Sequence, residues 1–242
     1  MKYFYSILIL FSFALSVQGQ NKASGCNGQR YIFDIFPNVT KTTVTYATNV
    51  NTLGQNQALK MDVYTPDGDT STSRPVIIWA YGGSFITGKR SDMENYCITF
   101  AKKGYVCASI NYRLGLTPFD STGAIKAVLR AVQDMKASIR FFYKDKLTTN
   151  TYKIDTNNIF IGGTSAGAIT ALHTAYLDKS CEINYYVTPT LLTSLGGMDG
   201  YSGNQCYSSK IKGVINLCGA LGRYGWLEPG DVPFCSMHGT VD

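Results

Sequence analysis

A serine between two glycines, in Gly163-Thr164-Ser165-Ala166-Gly167, carries the residue types of a catalytic nucleophile at a sharp turn. Acyl transfer needs an activated nucleophile, a base for its proton, a group that orients the base, and donors for the oxyanion. The apolar run from Ile159 to Ile161 reads as a buried strand, and Ala166 to Leu177 as a helix. Strand, tight turn and helix then put Ser165 where free N–H groups and the positive helix end face the reacting centre. Gly163 and Gly167 let strand and helix pack closely on either side. The N–H of Ala166 is the first expected oxyanion donor. The second is expected from Tyr81-Gly82-Gly83-Ser84-Phe85, where Gly82 and Gly83 have no side chain to keep their N–H groups from a bound carbonyl oxygen.

The chain holds only two histidines. His173 lies eight residues past Ser165 on the same expected helix, about 12 Å along its axis at 1.5 Å per residue. It reads as a helix-packing residue. His238 follows the last apolar run. Neither is expected to serve Ser165 directly.

The elements that must hold these residues follow in order. Val39 to Tyr46 alternates Thr with apolar residues and reads as an edge strand. Gln57 to Tyr64 is a second strand, closed by the turn residues Thr65 to Asp69. Pro75 to Ala80 is a continuous apolar strand, as a sheet covered on both faces requires. Met93 to Lys103 reads as a helix with Gly104 at its end, and Tyr105 to Ile110 as a strand. From Ser121 to Phe142, Ile125, Val128, Leu129, Val132, Met135 and Ile139 recur at helical spacing. A polar insertion, rich in Gly and Tyr, runs from about Asp178 to Lys210. Lys212 to Cys218 and Val232 to Met237 are the last strands. Strands alternating with long helices indicate an α/β fold with a mostly parallel sheet.

Length and composition set limits. The 242 residues are 45% hydrophobic and 16% charged, enough for one domain with a sizeable core. The net charge of +6 is scattered along the chain, which argues against a nucleic-acid partner. Met1-Lys2, an apolar run from Ile7 to Val17 and Gln18-Gly19-Gln20 read as a secretory signal peptide over residues 1–19. No other stretch is long enough to span a membrane, so a secreted or periplasmic protein without stable membrane insertion is expected. Of seven cysteines, Cys107, Cys218 and Cys235 are expected buried in strands, while Cys26, Cys97, Cys181 and Cys206 lie nearer loops or helix ends. Cys181 with Cys206 would staple the insertion, and Cys26 with Cys97 is the other pairing considered. No Cys/His spacing suggests a metal, and no cofactor is implied.

Four segments resemble the carboxylesterase and lipase (HGG-type esterase) group of the α/β-hydrolases. These are Pro75 to Phe85, Ser109 to Gly115, Asp155 to Gly167 and Pro233 to Asp242. The resemblance implies an α/β-hydrolase fold over residues 20–242, a mostly parallel sheet flanked by helices. The family usually has His where this chain has Tyr81, a difference that leaves the backbone donors intact. In relatives with H-G-x-x-D after a strand, the aspartate is the triad acid, which carries over to Asp242. The family's catalytic histidine falls after one more strand, beyond Asp242. The chain is therefore expected to lack the last strand and helix of the fold, to be truncated at its C-terminus, and to be nearly inactive without that histidine.

The function expected is a secreted serine carboxyl-ester hydrolase. Ser165 is its nucleophile, Asp242 its acid, and Gly82, Gly83 and Ala166 its oxyanion hole. The substrate is expected to be a small-molecule or carbohydrate-linked ester. Loops 178–210 and 219–231 are expected to cover the site with Tyr185, Tyr186, Tyr201, Tyr207, Tyr224 and Trp226. The alternatives are a peptidase or thioesterase on the same fold, or a non-catalytic binding module.

Overall fold

A computed structural model describes residues 28–240. The segment read as a signal peptide, Cys26 and Asp242 lie outside the described residues.

Seven strands form one sheet: β1 (Val39–Val50), β2 (Asn56–Pro66), β3 (Arg74–Ala80), β4 (Val106–Ile110), β5 (Ile154–Thr164), β6 (Gly213–Leu217) and β7 (Phe234–Met237). Their order is β1-β2-β4-β3-β5-β6-β7. β1, β2 and β4 are joined by antiparallel pairing, and β4, β3, β5, β6 and β7 run parallel. The strands expected from apolar runs all form, several of them longer than those runs. β4 is buried along its whole length, including Cys107 and Ser109. β1 occupies an edge, as its alternation of Thr with apolar residues predicts.

Two long helices cover one face of the sheet, α2 (Ser121–Leu147) and α3 (Ala166–Tyr176). The other face carries α1 (Glu94–Lys102), where Tyr96 and Phe100 pack on Trp79 of β3. The expected start of α1 at Met93 is preceded by a short 3-10 turn over Arg90–Met93. α2 starts where the Asp120 carboxylate accepts the Gly123 N–H at 2.9 Å, which satisfies one of the free donors of its first turn.

The two faces are not covered alike. Ile159 and Ile161 of β5 and Val214 of β6 are buried on the α2–α3 side, whereas Phe160 and Ile215 are only half-buried on the α1 side. This asymmetry corrects the reading of two cysteines. Cys235 is exposed because β7 is the outer strand of the sheet among the described residues. Cys218 is exposed because the chain turns out of β6 there, at φ 58°.

The polar insertion folds into two short helices, α4 (Ser180–Ile183) and α5 (Pro189–Ser194), and a looped stretch. That stretch lies along α2. Gln133 donates to the Leu195 and Gly197 carbonyls, Arg140 to those of Ser202 and Gly203, and Lys136 pairs with Asp199 at 2.8 Å. Gln133, Lys136 and Arg140 of α2 are thus buried under the insertion. Cys181 and Cys206 are not joined. Their ends of the insertion anchor apart: Cys181 beside Tyr185 and Arg223, Cys206 just past Asn204, which reaches the Tyr46 carbonyl of β1. Among the described residues, no helix is long and apolar enough to cross a membrane.

Candidate active site

Ser165 stands at the sharp turn between β5 and α3, with φ 50° and ψ −119°. A non-glycine residue adopts positive φ at a cost of about 1–3 kcal/mol, so the surroundings must hold it there. They do so through backbone contacts. The Ser165 N–H donates to the Leu217 carbonyl at 2.9 Å, and its own carbonyl accepts the Ile169 N–H at 2.9 Å. The residue is exposed while its neighbours Gly163, Ala166 and Gly167 are buried. Its side chain makes no cap to α3, so the first N–H groups of that helix are left open beside the hydroxyl.

The glycines around it are required by close approach. A Cβ at Gly163 would sit 2.3 Å from the carbonyl carbon of Gly167, and one at Gly167 would sit 2.0 Å from the Ala80 carbonyl oxygen. α3 therefore meets the end of β3 backbone to backbone. The loop after β3 is brought to the same point. A Cβ at Gly82 would lie 3.2 Å from the Ser165 Cβ and 3.0 Å from the Thr164 carbonyl oxygen. Gly82, Ser165 and Ala166 are thus gathered at one place, with Gly83 next in chain.

Several residues that shape this loop carry no signal in the sequence motif. Gly83, Ser84, Phe85 and Gly88 all have positive φ. The Gly83 carbonyl accepts the N–H groups of Ile86 and Thr87, and the Gly115 N–H donates to the Phe85 carbonyl at 2.8 Å. Tyr112 stacks on Tyr81 with ring centroids 4.7 Å apart, and its hydroxyl donates to the Tyr81 carbonyl at 2.8 Å. Burial pushes the Tyr81 phenol up to about 12, so it stays neutral. Arg113 fastens the same segment to α2. Its backbone N–H and Nε both reach the Asp134 carboxylate, at 2.8 and 2.9 Å. Ser202 donates to Asp134 as well, at 2.8 Å. The stretch Asn111 to Gly115 follows β4 directly, so its position past a strand end is the clue sequence offers.

The two histidines are placed differently. His173 is buried on the third turn of α3, and its Nδ1 lies 2.8 Å from the Ile169 carbonyl. Burial pulls its pKa below the usual imidazole value despite that hydrogen bond. Its ring meets Trp226 edge to face at 5.4 Å. This is the packing role read from the sequence. His238 follows β7, 3.2 Å from the side-chain nitrogen of Asn216. Thr164, Leu217 and Met237 lie in register across β5, β6 and β7. Ser165 and His238 therefore leave the sheet at the same edge but two strands apart, about 10 Å.

The aromatic residues of the two loops do not form one cover. Trp226 packs on His173, Tyr186 on Trp226, and Tyr185 on Tyr186 with Arg223 over its ring, while Tyr224 is exposed. Tyr201 instead lies by Thr193 and Gly196, on the part of the insertion held by α2. Among the described residues no group of three or more His, Cys, Asp or Glu side chains could hold a metal ion.

Comparison with known proteins agrees with this architecture. The BD-FAE family model matches residues 61–222. Mouse bile salt-activated lipase is 32% identical over 131 residues, which is 50% of this chain and 21% of the lipase. Neuroligin-like protein glit-1 of Caenorhabditis elegans is 30% identical over 112 residues, 46% of this chain and 15% of that protein. The matched stretches thus span about a fifth or less of these two relatives. Among solved structures, esterase 2 of Thermogutta terrifontis, phosphorylated by paraoxon, superposes with a TM-score of 0.61. It is 19% identical and covers 81% of this chain and 69% of its own. The likeness establishes an α/β-hydrolase fold: a mostly parallel sheet flanked by helices.

Proposed function

The chain belongs to the BD-FAE family, and from that premise we propose that it is a serine carboxyl-ester hydrolase acting on small-molecule or carbohydrate-linked esters. The observation that carries this reading is the turn at Ser165: an exposed hydroxyl on a strained backbone, with Gly82 packed against it and the open end of α3 behind it.

In this reading Ser165 Oγ attacks the ester carbonyl. The oxyanion that forms takes hydrogen bonds from the N–H groups of Gly82, Gly83 and Ala166. Such donors act strongly because they are held in place before the charge develops. A histidine takes the serine proton and returns it to the leaving alcohol, and water then releases the acid from the acyl-enzyme. We assign the orienting carboxylate to Asp242 and the histidine to a position beyond residue 242. The placement of both described histidines supports that assignment, since neither lies within hydrogen-bond reach of the turn by the spacings above. Residues 1–19 are read as a secretory signal, which makes the protein an exported one.

Reaction with paraoxon and turnover of p-nitrophenyl acetate test the proposal. Both are measured on residues 1–242 and on the product of the uninterrupted reading frame, each with Ser165→Ala. The expected result is a phosphoryl adduct on Ser165 and ester turnover in the longer product, both lost in the variant. If the longer product is inert to both reagents, or no longer product exists and residues 1–242 are inert, the chain is a binding module instead.

A further inference from the structure

A second pocket lies away from the serine. It has a volume of about 180 Å³ and sits between α2, α3, α4 and the 3-10 turn Tyr224–Trp226. Val128, Leu129, Leu177, Ile183, Tyr186 and Trp226 give it an almost wholly carbon lining. Ser165, Gly82 and Gly83 do not line it. Val128 and Tyr186 are half-buried and Gly222 is exposed at its rim, so it has a mouth.

Besides Tyr186 and Trp226, which each carry one polar atom, the lining holds the ring of His173. The Ile169 carbonyl can only accept, so the Nδ1 beside it carries the ring hydrogen. Burial keeps the ring neutral, which leaves Nε2 with an unshared lone pair. Nε2 has no hydrogen-bond partner among the described residues. A Cβ at Gly222 would come within 3.2 Å of it, so the absence of a side chain there keeps the space before it open. Nε2 opens onto the pocket, where a ligand that donates one hydrogen bond pairs with it in carbon-lined surroundings.

We propose that this pocket binds a small neutral alcohol or phenol, its hydroxyl donating to His173 Nε2 and its carbon skeleton against Val128, Leu129, Leu177 and Trp226. The volume suits one ring: a dry cavity of about 150 Å³ accepts benzene. Charged molecules are disfavoured, since no charged side chain lines the pocket to offset their desolvation. The site is separate from Ser165, two turns away along α3, and does not depend on the catalytic assignment.

The test uses phenol and toluene as probes of equal shape, with histidine-labelled protein followed by ¹⁵N NMR and by Trp226 fluorescence. Phenol is expected to bind and to shift the Nε2 resonance of His173, whereas toluene binds without shifting it. In His173→Leu the ratio of phenol to toluene affinity falls about five- to tenfold, with toluene binding kept. Gly222→Ala, on an exposed loop, places a methyl group before Nε2 and weakens phenol. Failure of phenol to bind the unaltered protein, or binding that leaves the Nε2 resonance unmoved, overturns the proposal. So does binding of undiminished strength in Gly222→Ala. The measurement on the unaltered protein decides the matter even if His173→Leu does not fold.

Discussion

At Ser165 the backbone, more than the side chain, defines what the residue can do. Its φ of 50° turns the hydroxyl out of a buried stretch, and Gly82, which packs against it, has no side chain at all. A methyl group at Gly82 would press on the Thr164 carbonyl at 3.0 Å and on the Ser165 Cβ at 3.2 Å. The loop must then step back by a few tenths of an ångström, which is enough to spoil donor geometry. With Gly82 donating to the oxyanion as proposed, Gly82→Ala in the product of the uninterrupted reading frame is expected to lower kcat for p-nitrophenyl acetate about 10²- to 10³-fold, the usual loss for one oxyanion donor. Thermal unfolding checks that stability falls by less than about 1 kcal/mol. A large loss of stability with activity retained would remove Gly82 from the site. The glycine pair and the serine are legible in the sequence because their types are forced by sterics. Tyr112 and Asn216 are not, since a tyrosine after one strand and an asparagine within another give no hint of what they will bond.

Among the elements, α3 meets β3 backbone to backbone. Gly163 and Gly167 meet Ala80 and Tyr81 through main-chain atoms that cannot rotate away. Gly163→Ala would put a Cβ 2.3 Å from the Gly167 carbonyl carbon and 2.6 Å from the Ala80 oxygen. The expected cost is about 2–3 kcal/mol, from overpacking against backbone, read as a lowered denaturant midpoint with unchanged slope. If the midpoint is unmoved, the helix does not sit as described. The strands and the long helices follow from apolar runs and helical spacing. Their extents do not: α2 runs five residues past the expected Phe142, to Leu147. Its middle is buried on all sides, Gln133, Asp134, Lys136 and Arg140 included. The insertion supplies carbonyls and a carboxylate that take up the Gln133, Lys136 and Arg140 donors.

At the scale of the molecule, buried ion pairs hold distant segments together. Asp69, after β2, accepts from Arg30 at 3.0 Å and from Arg74 at 2.7 Å. Arg30 also reaches the Gly104 carbonyl after α1, and Arg74 the Tyr152 carbonyl before β5. Burial alone would raise the Asp69 pKa, but the Arg30, Ser71 and Arg74 hydrogen bonds prevail and hold it below the usual carboxylate value. A carboxyl group depressed on folding contributes stability that is complete above its unfolded value, about 3.9. That contribution is lost as pH falls through the lower folded value. Stability should therefore decline with acid below about pH 4, and Asp69→Asn should be less stable at pH 7 with a shallower acid decline. Denaturant midpoints of both proteins between pH 2 and 7 check this, and parallel curves would show that Asp69 has no part in it.

The sequence by itself determined what short-range rules can specify. The period of apolar residues marked the strands and helices, and alternation along the chain implied the parallel sheet. Glycine spacing around Ser165 named a turn that only such residues can make. Tertiary structure decided what depends on which elements become neighbours. The coverage of each sheet face left Cys235 exposed and Cys107 buried, although both lie in apolar runs. The two ends of the insertion anchor to different elements, so Cys181 and Cys206 remain apart. His173 faces a carbon-lined pocket because α2, α4 and Trp226, far apart in the chain, converge over it. Burial and partnership are properties of the packed arrangement, and no local pattern of residue types encodes them.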